Sequence, residues 1–187
     1  MFNFEEISKR IYDILNEKGK VIIAIDGDCA SGKSTLAEIL KEKFDANIIH
    51  SDDFFLPLEL RNEERLLIPG GNIYFERLKS EVIDNLENDF AYRPFSCKTM
   101  SLMKEVNVSK KDVTIIEGSY SLSPYLGKYY DLSIFLQIES FLQLERLKIR
   151  NEKMLEDFIN KWIPLEKKYF KAFDIKNKAD IVISINK

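Results

Sequence analysis

Apolar residues recur along this chain with two different periods. Phe4, Ile7, Ile11, Ile14 and Leu15 fall at helical spacing, and Gly19 stands where that helix can close. Val21-Ile22-Ile23-Ala24-Ile25 follows at once, a β-branched run that predicts a strand buried on both faces of a parallel sheet. Residues 27–32 read as a loop. Leu36, Ile39, Leu40 and Phe44 mark one face of a helix over 34–44, and 47–50 form a short strand that leaves through a loop over 51–57.

The middle is less regular. Residues 61–71 are polar and end in Pro69-Gly70-Gly71, a strong breaker. Phe75, Leu78, Val82, Ile83 and Leu86 predict a helix over 73–86, and alternation in 90–96 and 102–108 predicts a small hairpin. Buried strands are expected at 113–116, 132–138 and 181–185. Helices are expected at 141–156 and at 157–173, the second entered or kinked near Pro164. Strands alternating with helices predict a three-layer α/β/α sandwich around a mostly parallel five-stranded sheet. The reading is one domain over 1–187, with a hairpin insertion at about 88–109 and a helical lid at about 141–160.

Composition narrows the partners. The formal net charge is −3 with acidic and basic residues mixed, so no electrostatic case exists for a nucleic-acid partner. No segment has the length and apolarity of a membrane span or signal peptide, which leaves the cytoplasm as the expected location. Homo-oligomerisation stays open. Cys29, Cys97 and the single His50 supply too few ligands for a common zinc site.

Gly27-Asp28-Cys29-Ala30-Ser31-Gly32-Lys33-Ser34 fits the phosphate-binding G-x-x-x-x-G-K-[ST] pattern, with a buried strand before it and an amphipathic helix after it. Backbone N–H groups of such a loop wrap a phosphate, and the following helix aims its positive dipole end at the same place. Lys33 brings a cation to the β/γ-phosphates, and the Ser34 hydroxyl is the expected Mg²⁺ ligand. Thr35 adds a hydroxyl for the α-phosphate or the backbone. Cys29 reads as a filler of the loop and not as a nucleophile. Asp26 reads as a brace.

Acidic residues follow two further strands. Ligands of a parallel sheet bind beyond the carboxyl ends of its strands. Asp52 and Asp53 lie there after the second strand, and Glu117 after the third. Either aspartate can serve as base for an acceptor hydroxyl, or both can cap a turn. Glu117, directly after Thr114-Ile115-Ile116, suits metal holding or catalysis better than solvation. His50 reads as a strand-end side chain more than as a ligand contact.

These residues together resemble the uridine kinase-like family of P-loop small-molecule kinases. The resemblance runs through Ile25-Asp26-Gly27, Ser31-Gly32-Lys33-Ser34-Thr35, Ser51-Asp52-Asp53-Phe54-Phe55, Ile116-Glu117-Gly118 and Tyr130-Asp131-Leu132-Ser133-Ile134-Phe135-Leu136. It continues in Trp162-Ile163-Pro164-Leu165-Glu166 with Tyr169-Phe170, and in Ala179-Asp180-Ile181-Val182-Ile183. It implies the P-loop NTPase fold, and transfer of the γ-phosphoryl of ATP (or GTP) to a nucleoside hydroxyl with Mg²⁺. By motif, Lys33, Asp52, Glu117 and Arg150 would be catalytic. Arg146 and Arg150 would close over the nucleotide from a lid helix, where their spacing puts them on one face. The acceptor region departs from the family pattern, because Gly70-Gly71-Asn72-Ile73-Tyr74-Phe75 and Tyr92-Arg93-Pro94-Phe95-Ser96 contain no His. Tyr74, Tyr92 and Phe95 can stack on a base and Arg93 can hold a polar group, or all four can pack the hairpin. A kinase of another small hydroxylated metabolite and a non-catalytic nucleotide-binding regulatory module are the alternatives.

Overall fold

In the computed structural model, which describes residues 4–186, the chain opens with helix α1 (Phe4–Lys18). Residues 1–3 and 187 of the expected domain lie outside the described residues. Strand β1 (Val21–Gly27) runs through the glycine loop into α2 (Lys33–Phe44), and β2 (Asn47–His50) follows. Next come α3 (Glu63–Leu67) and α4 (Phe75–Arg77). Four short strands come after them: β3 (Phe90–Tyr92), β4 (Phe95–Ser96), β5 (Ser101–Leu102) and β6 (Val106–Val108). Strands β7 (Val113–Glu117) and β8 (Leu132–Ile138) lead to α5 (Ser140–Asn151), α6 (Leu155–Asp157), α7 (Ile163–Phe173) and α8 (Ile175–Lys178). Strand β9 (Ile181–Ile185) ends the sheet.

The five long strands lie in the order β2-β7-β1-β8-β9, and every pairing among them is parallel. Their side chains sort by the two-residue period of a strand. Val21, Ile23, Ile25, Val113, Ile115, Ile134 and Leu136 face α1 and α2, where Ile7, Ile11, Leu36 and Leu40 are fully buried. Ala24, Ile116 and Phe135 face the opposite layer, packed with Leu78, Val82, Tyr169 and Ile175. Continuous apolar runs therefore occur because both faces are covered. Two ladders, β3 with β6 and β4 with β5, make the antiparallel ribbon expected from the alternation.

The irregular elements differ from the periodic reading in informative ways. The expected helix over 73–86 is three pieces: α4, a π-type turn Leu78–Val82 and a tight turn Ile83–Asn85. The apolar spacing persists across the breaks, so periodicity alone does not reveal them. The expected helix over 141–156 stops at Asn151, and a 3₁₀ turn Glu152–Met154 follows. Within 61–71, read as polar and irregular, Asn62 accepts a hydrogen bond from the Arg65 N–H at 2.8 Å and caps α3.

One buried carboxylate ties the layers together beneath the glycine loop. Asp26 is fully buried. Its Oδ1 accepts from the N–H of Gly27 at 2.7 Å and of Tyr120 at 3.2 Å. Its Oδ2 accepts from the Leu122 N–H at 3.0 Å and the Tyr169 hydroxyl at 2.9 Å. The loop after β7 and helix α7 are thus anchored to the end of β1. Asp26→Ala should strip acceptors from these buried donors and lower stability by about 3–5 kcal/mol, each donor left unmade costing about 1–3 kcal/mol. Tyr169→Phe, which removes one hydrogen bond, should cost about 1–1.5 kcal/mol. Urea unfolding midpoints measure both, and equal midpoints for wild type and Asp26→Ala would contradict the brace.

Candidate functional site

Because the sheet is all parallel, β1, β2 and β7 open onto one edge. The register sets Ile25 and His50 opposite Glu117 on its two sides. The chain can turn there because Gly118 adopts φ 128°, and a Cβ would come within 2.2 Å of the Ser51 Oγ. Ser51 in turn donates to the Ser119 carbonyl at 2.9 Å, which fixes the 3₁₀ turn Ser51–Phe54 against the β7 loop.

The glycine loop is held at several points. Gly27 has φ 136°, and a Cβ there would lie 2.0 Å from the Leu136 carbonyl oxygen, so only glycine lets β1 pass β8 this closely. Asp28 accepts the Ile138 N–H at 3.0 Å, and its own N–H donates to Leu136 at 2.9 Å. Lys33 donates to the carbonyls of Gly27 at 2.8 Å and Asp28 at 2.9 Å. An ammonium has a third proton to offer a ligand. Gly32, at φ 101°, starts α2, whose first amides have no preceding carbonyl to pair with. The Ser31 hydroxyl is buried and has no hydrogen-bond partner. That orphaned donor is what a phosphate oxygen would satisfy.

Glu117 is buried, with 4% of its surface exposed. Its Oε1 accepts the Ser34 hydroxyl at 3.0 Å and meets His50 Nδ1 at 2.5 Å. This bond raises the His50 pKa above its ordinary 6.5, against the opposing effect of partial burial. Asp52 opens onto the cleft, yet protein crowds its carboxylate. That desolvation pushes its pKa above the usual aspartate value, with Lys33 pulling it down and Glu117 pushing it up. Arg150 and His50 also act to lower it. Ser34 Oγ and Glu117 Oε1 form a pair of hard oxygen donors, and no described cluster of three or more His, Cys, Asp or Glu could cage a metal. This sparse set fits Mg²⁺, which keeps most of its waters and takes phosphate oxygens as ligands.

Helices close the other side. Arg146 on α5 donates to the Ala30 carbonyl at 3.1 Å, and Arg150 lies one turn further along the same face. Glu166 on α7 is buried; it accepts the Cys29 N–H at 3.0 Å and the Ser119 hydroxyl at 2.5 Å. Burial first, and Glu166 second, push the Cys29 thiol up to about 12. The thiolate needed for nucleophilic chemistry is therefore disfavoured.

A cleft of about 740 Å³ joins these groups. Of the residues singled out from sequence, Cys29, Ala30, Gly32, Lys33, Ser34, Thr35, Asp52, Glu117, Arg146 and Arg150 line it. Tyr74, Tyr92, Arg93, Phe95 and Asp53 are not among the described residues that do. Tyr92 stacks on Phe54 with ring centroids 5.3 Å apart and donates to Asp53 at 3.1 Å. Phe95 is buried, and Arg93 donates to the Met103 carbonyl at 2.9 Å. Tyr74 lies under the Arg77 guanidinium, 6.0 Å from its ring centroid. The lining also contains Phe55, Arg61, Asn72, Tyr120, Trp162 and Glu166, which periodicity and motif did not single out as site residues. For Phe55, Asn72, Trp162 and Glu166 a signal existed, since each lies in a segment that carries the family resemblance or its departure.

No protein-family model matches the chain. Solved structures share its fold. One, described as a possible uridine kinase from Bacillus stearothermophilus, superposes with a TM-score of 0.69 at 20% identity, covering 95% of this chain and 99% of that one. The D-glycerate 3-kinase of Cryptococcus neoformans var. grubii gives a TM-score of 0.60 at 14% identity, over 96% of this chain and 94% of that one. The protein TT1252 of Thermus thermophilus gives 0.54 at 14% identity, over 90% of both chains. The chain has the P-loop kinase-like α/β fold.

His50 is the single histidine, so proton NMR can follow its titration without assignment. Its midpoint should lie above 6.5 in the wild type and return toward 6.5 in Glu117→Gln. Since the folded value is raised, the stability that His50 contributes is fully present below pH 6.5 and is lost as pH rises through the folded pKa. The melting-temperature gap between wild type and His50→Gln should therefore narrow toward alkaline pH. A gap that widens would contradict the assignment.

Proposed function

We propose that this protein is an ATP-dependent small-molecule kinase that moves the γ-phosphoryl group to an acceptor hydroxyl, with Asp52 as base. The observation that carries this reading is the presence of Lys33, Asp52, Glu117 and Arg150 around one cleft. A nucleotide-binding module without an acceptor would need the loop and Lys33 but has no use for a second carboxylate opening onto the cleft beside them.

Each residue then has a separable part. Asp52 takes the proton of the acceptor hydroxyl as its oxygen bonds to the γ-phosphorus. The bond from that phosphorus to the bridging oxygen breaks, and ADP leaves. Lys33 and Arg150 stabilise charge on the transferring group, and Arg146 braces the loop that holds the phosphates. Ser34 and Glu117 would hold Mg²⁺, which supplies charge neutralisation at the phosphate oxygens. Asp53, already engaged by Tyr92, is the weaker candidate for base. GTP in place of ATP would use the same groups.

The family resemblance favours a nucleoside acceptor, uridine or cytidine, with Phe55 and Trp162 as the aromatic walls in reach of a base. A second reading, another hydroxylated metabolite, is favoured by one observation: Tyr74, Tyr92 and Phe95 are engaged elsewhere. The D-glycerate 3-kinase shares the fold, and its acceptor is of that second kind.

Asp52→Asn should leave the equilibrium affinity for ATP unchanged and lower the turnover rate by about 10²–10⁴-fold, the usual worth of a general base. Lys33→Ala should lose both. Because the base works deprotonated and its pKa is raised, kcat/KM should climb with pH through a midpoint above 3.8. ATP binding by calorimetry and ADP release across a pH series separate these effects. Parallel loss of ATP affinity in Asp52→Asn would contradict the role given to it.

A further inference from the structure

The cleft contains two polar groups with bonding capacity that the protein does not fully use. Asn72 has 4% of its surface exposed, lines the cleft, and its amide nitrogen has no hydrogen-bond partner. It lies beside the Tyr120 hydroxyl, without the geometry of a hydrogen bond. A buried amide donor left unmade costs about 1–3 kcal/mol, so a ligand that accepts from it gains what the fold forgoes.

Arg61 is the second group. It is half-buried, and its Nε donates to the Leu56 carbonyl at 2.6 Å, which fixes the plane of the guanidinium. Among the described residues no carboxylate lies within ion-pair distance of it. The contrast with Arg65 and Arg77, each paired with a glutamate at 2.6 Å, is local and sharp. Arg61 lies beside the Cys97 thiol, and Cys97 in turn feels the charge of Asp52. Tyr120, next to Asn72, feels the same carboxylate. Arg61 and Asn72 line the same cleft as Asp52, the proposed base, together with Cys97 and Met100 of the β4–β5 turn.

We infer that the acceptor carries an oxyanionic group, a carboxylate or a phosphate, which Arg61 binds, while Asn72 donates to a neutral oxygen near the reacting hydroxyl. A guanidinium held in plane and lacking an internal counter-charge matches a planar or tetrahedral oxyanion through paired N–H donors. A neutral nucleoside would offer that charge no partner of its own. The inference rests on the kinase reading and narrows its acceptor.

The test uses the full chain with Mg²⁺ and ATP, and three acceptor probes: D-glycerate for a carboxylate, ribose 5-phosphate for a phosphate and uridine for a neutral nucleoside. ADP formation gives KM and kcat for wild type, Arg61→Gln and Arg61→Lys. An oxyanionic probe should be preferred over uridine, and which of the two is turned over tells carboxylate from phosphate. Arg61→Gln should raise its KM by about 10–100-fold with kcat nearly unchanged, and Arg61→Lys should restore part of the loss. Asn72→Ala should raise KM without lowering the melting temperature. Alkylation of the exposed Cys97 reads occupancy without turnover, since Cys29 is buried. The preferred probe should slow it in wild type and not in Arg61→Gln. Preference for uridine with KM values indifferent to Arg61, or no slowing by either oxyanionic probe, overturns the inference and leaves the kinase reading standing. Failure of ATP itself to bind would overturn both.

Discussion

The site depends on the Asp26 carboxylate at the end of β1. An ionised carboxylate in a sheet core is costly by itself, and four donors from three parts of the chain offset that cost. Burial still raises its pKa, so the network only partly compensates desolvation. What the arrangement provides is position. The glycine loop, the β7 loop with Ser119 to Leu122, and α7 are all referenced to the same two oxygens. Glu166 continues this one layer outward, joining Cys29 to Ser119.

Charge in the cleft is arranged in opposed pairs. Glu117 sits between Ser34 and His50 and near Asp52, while Lys33 and Arg150 supply the opposite sign. Glu117 raises the proton affinity of Asp52 on the neighbouring strand end, and the cations limit the effect. The result keeps one carboxylate bound to hydroxyl and imidazole and the other accessible from the cleft. That division is the physical basis for giving them different parts.

Much of this was legible in the residues themselves. Uninterrupted Val/Ile runs bounded by polar loops foretold the parallel sheet, since such runs need cover on both faces. The G-x-x-x-x-G-K-S spacing located the loop, and Asp52 and Glu117 followed from strand ends opening on one edge. Arg61 lies outside every segment that carried a signal, and the part Glu166 plays is hidden because its partner is distant along the chain: it meets Cys29 across 137 positions. Tyr92 shows the converse. Its sequence context fits stacking on a ligand, but the hairpin turns its ring onto Phe54. The breaks near Val82 and Asn151 are not visible in the sequence because π-type and 3₁₀ turns preserve apolar spacing closely enough to look helical.

In a kinase the γ-phosphoryl group goes to an organic hydroxyl and not to water. Incubating the protein with γ-labelled ATP, Mg²⁺ and a mixture of nucleosides, hydroxy acids and sugar phosphates, then separating the products, measures this directly. Label should appear in an organic phosphate ester, abolished by Lys33→Ala and strongly reduced by Asp52→Asn. Label found solely as inorganic phosphate, released at one rate with or without acceptors, would contradict it.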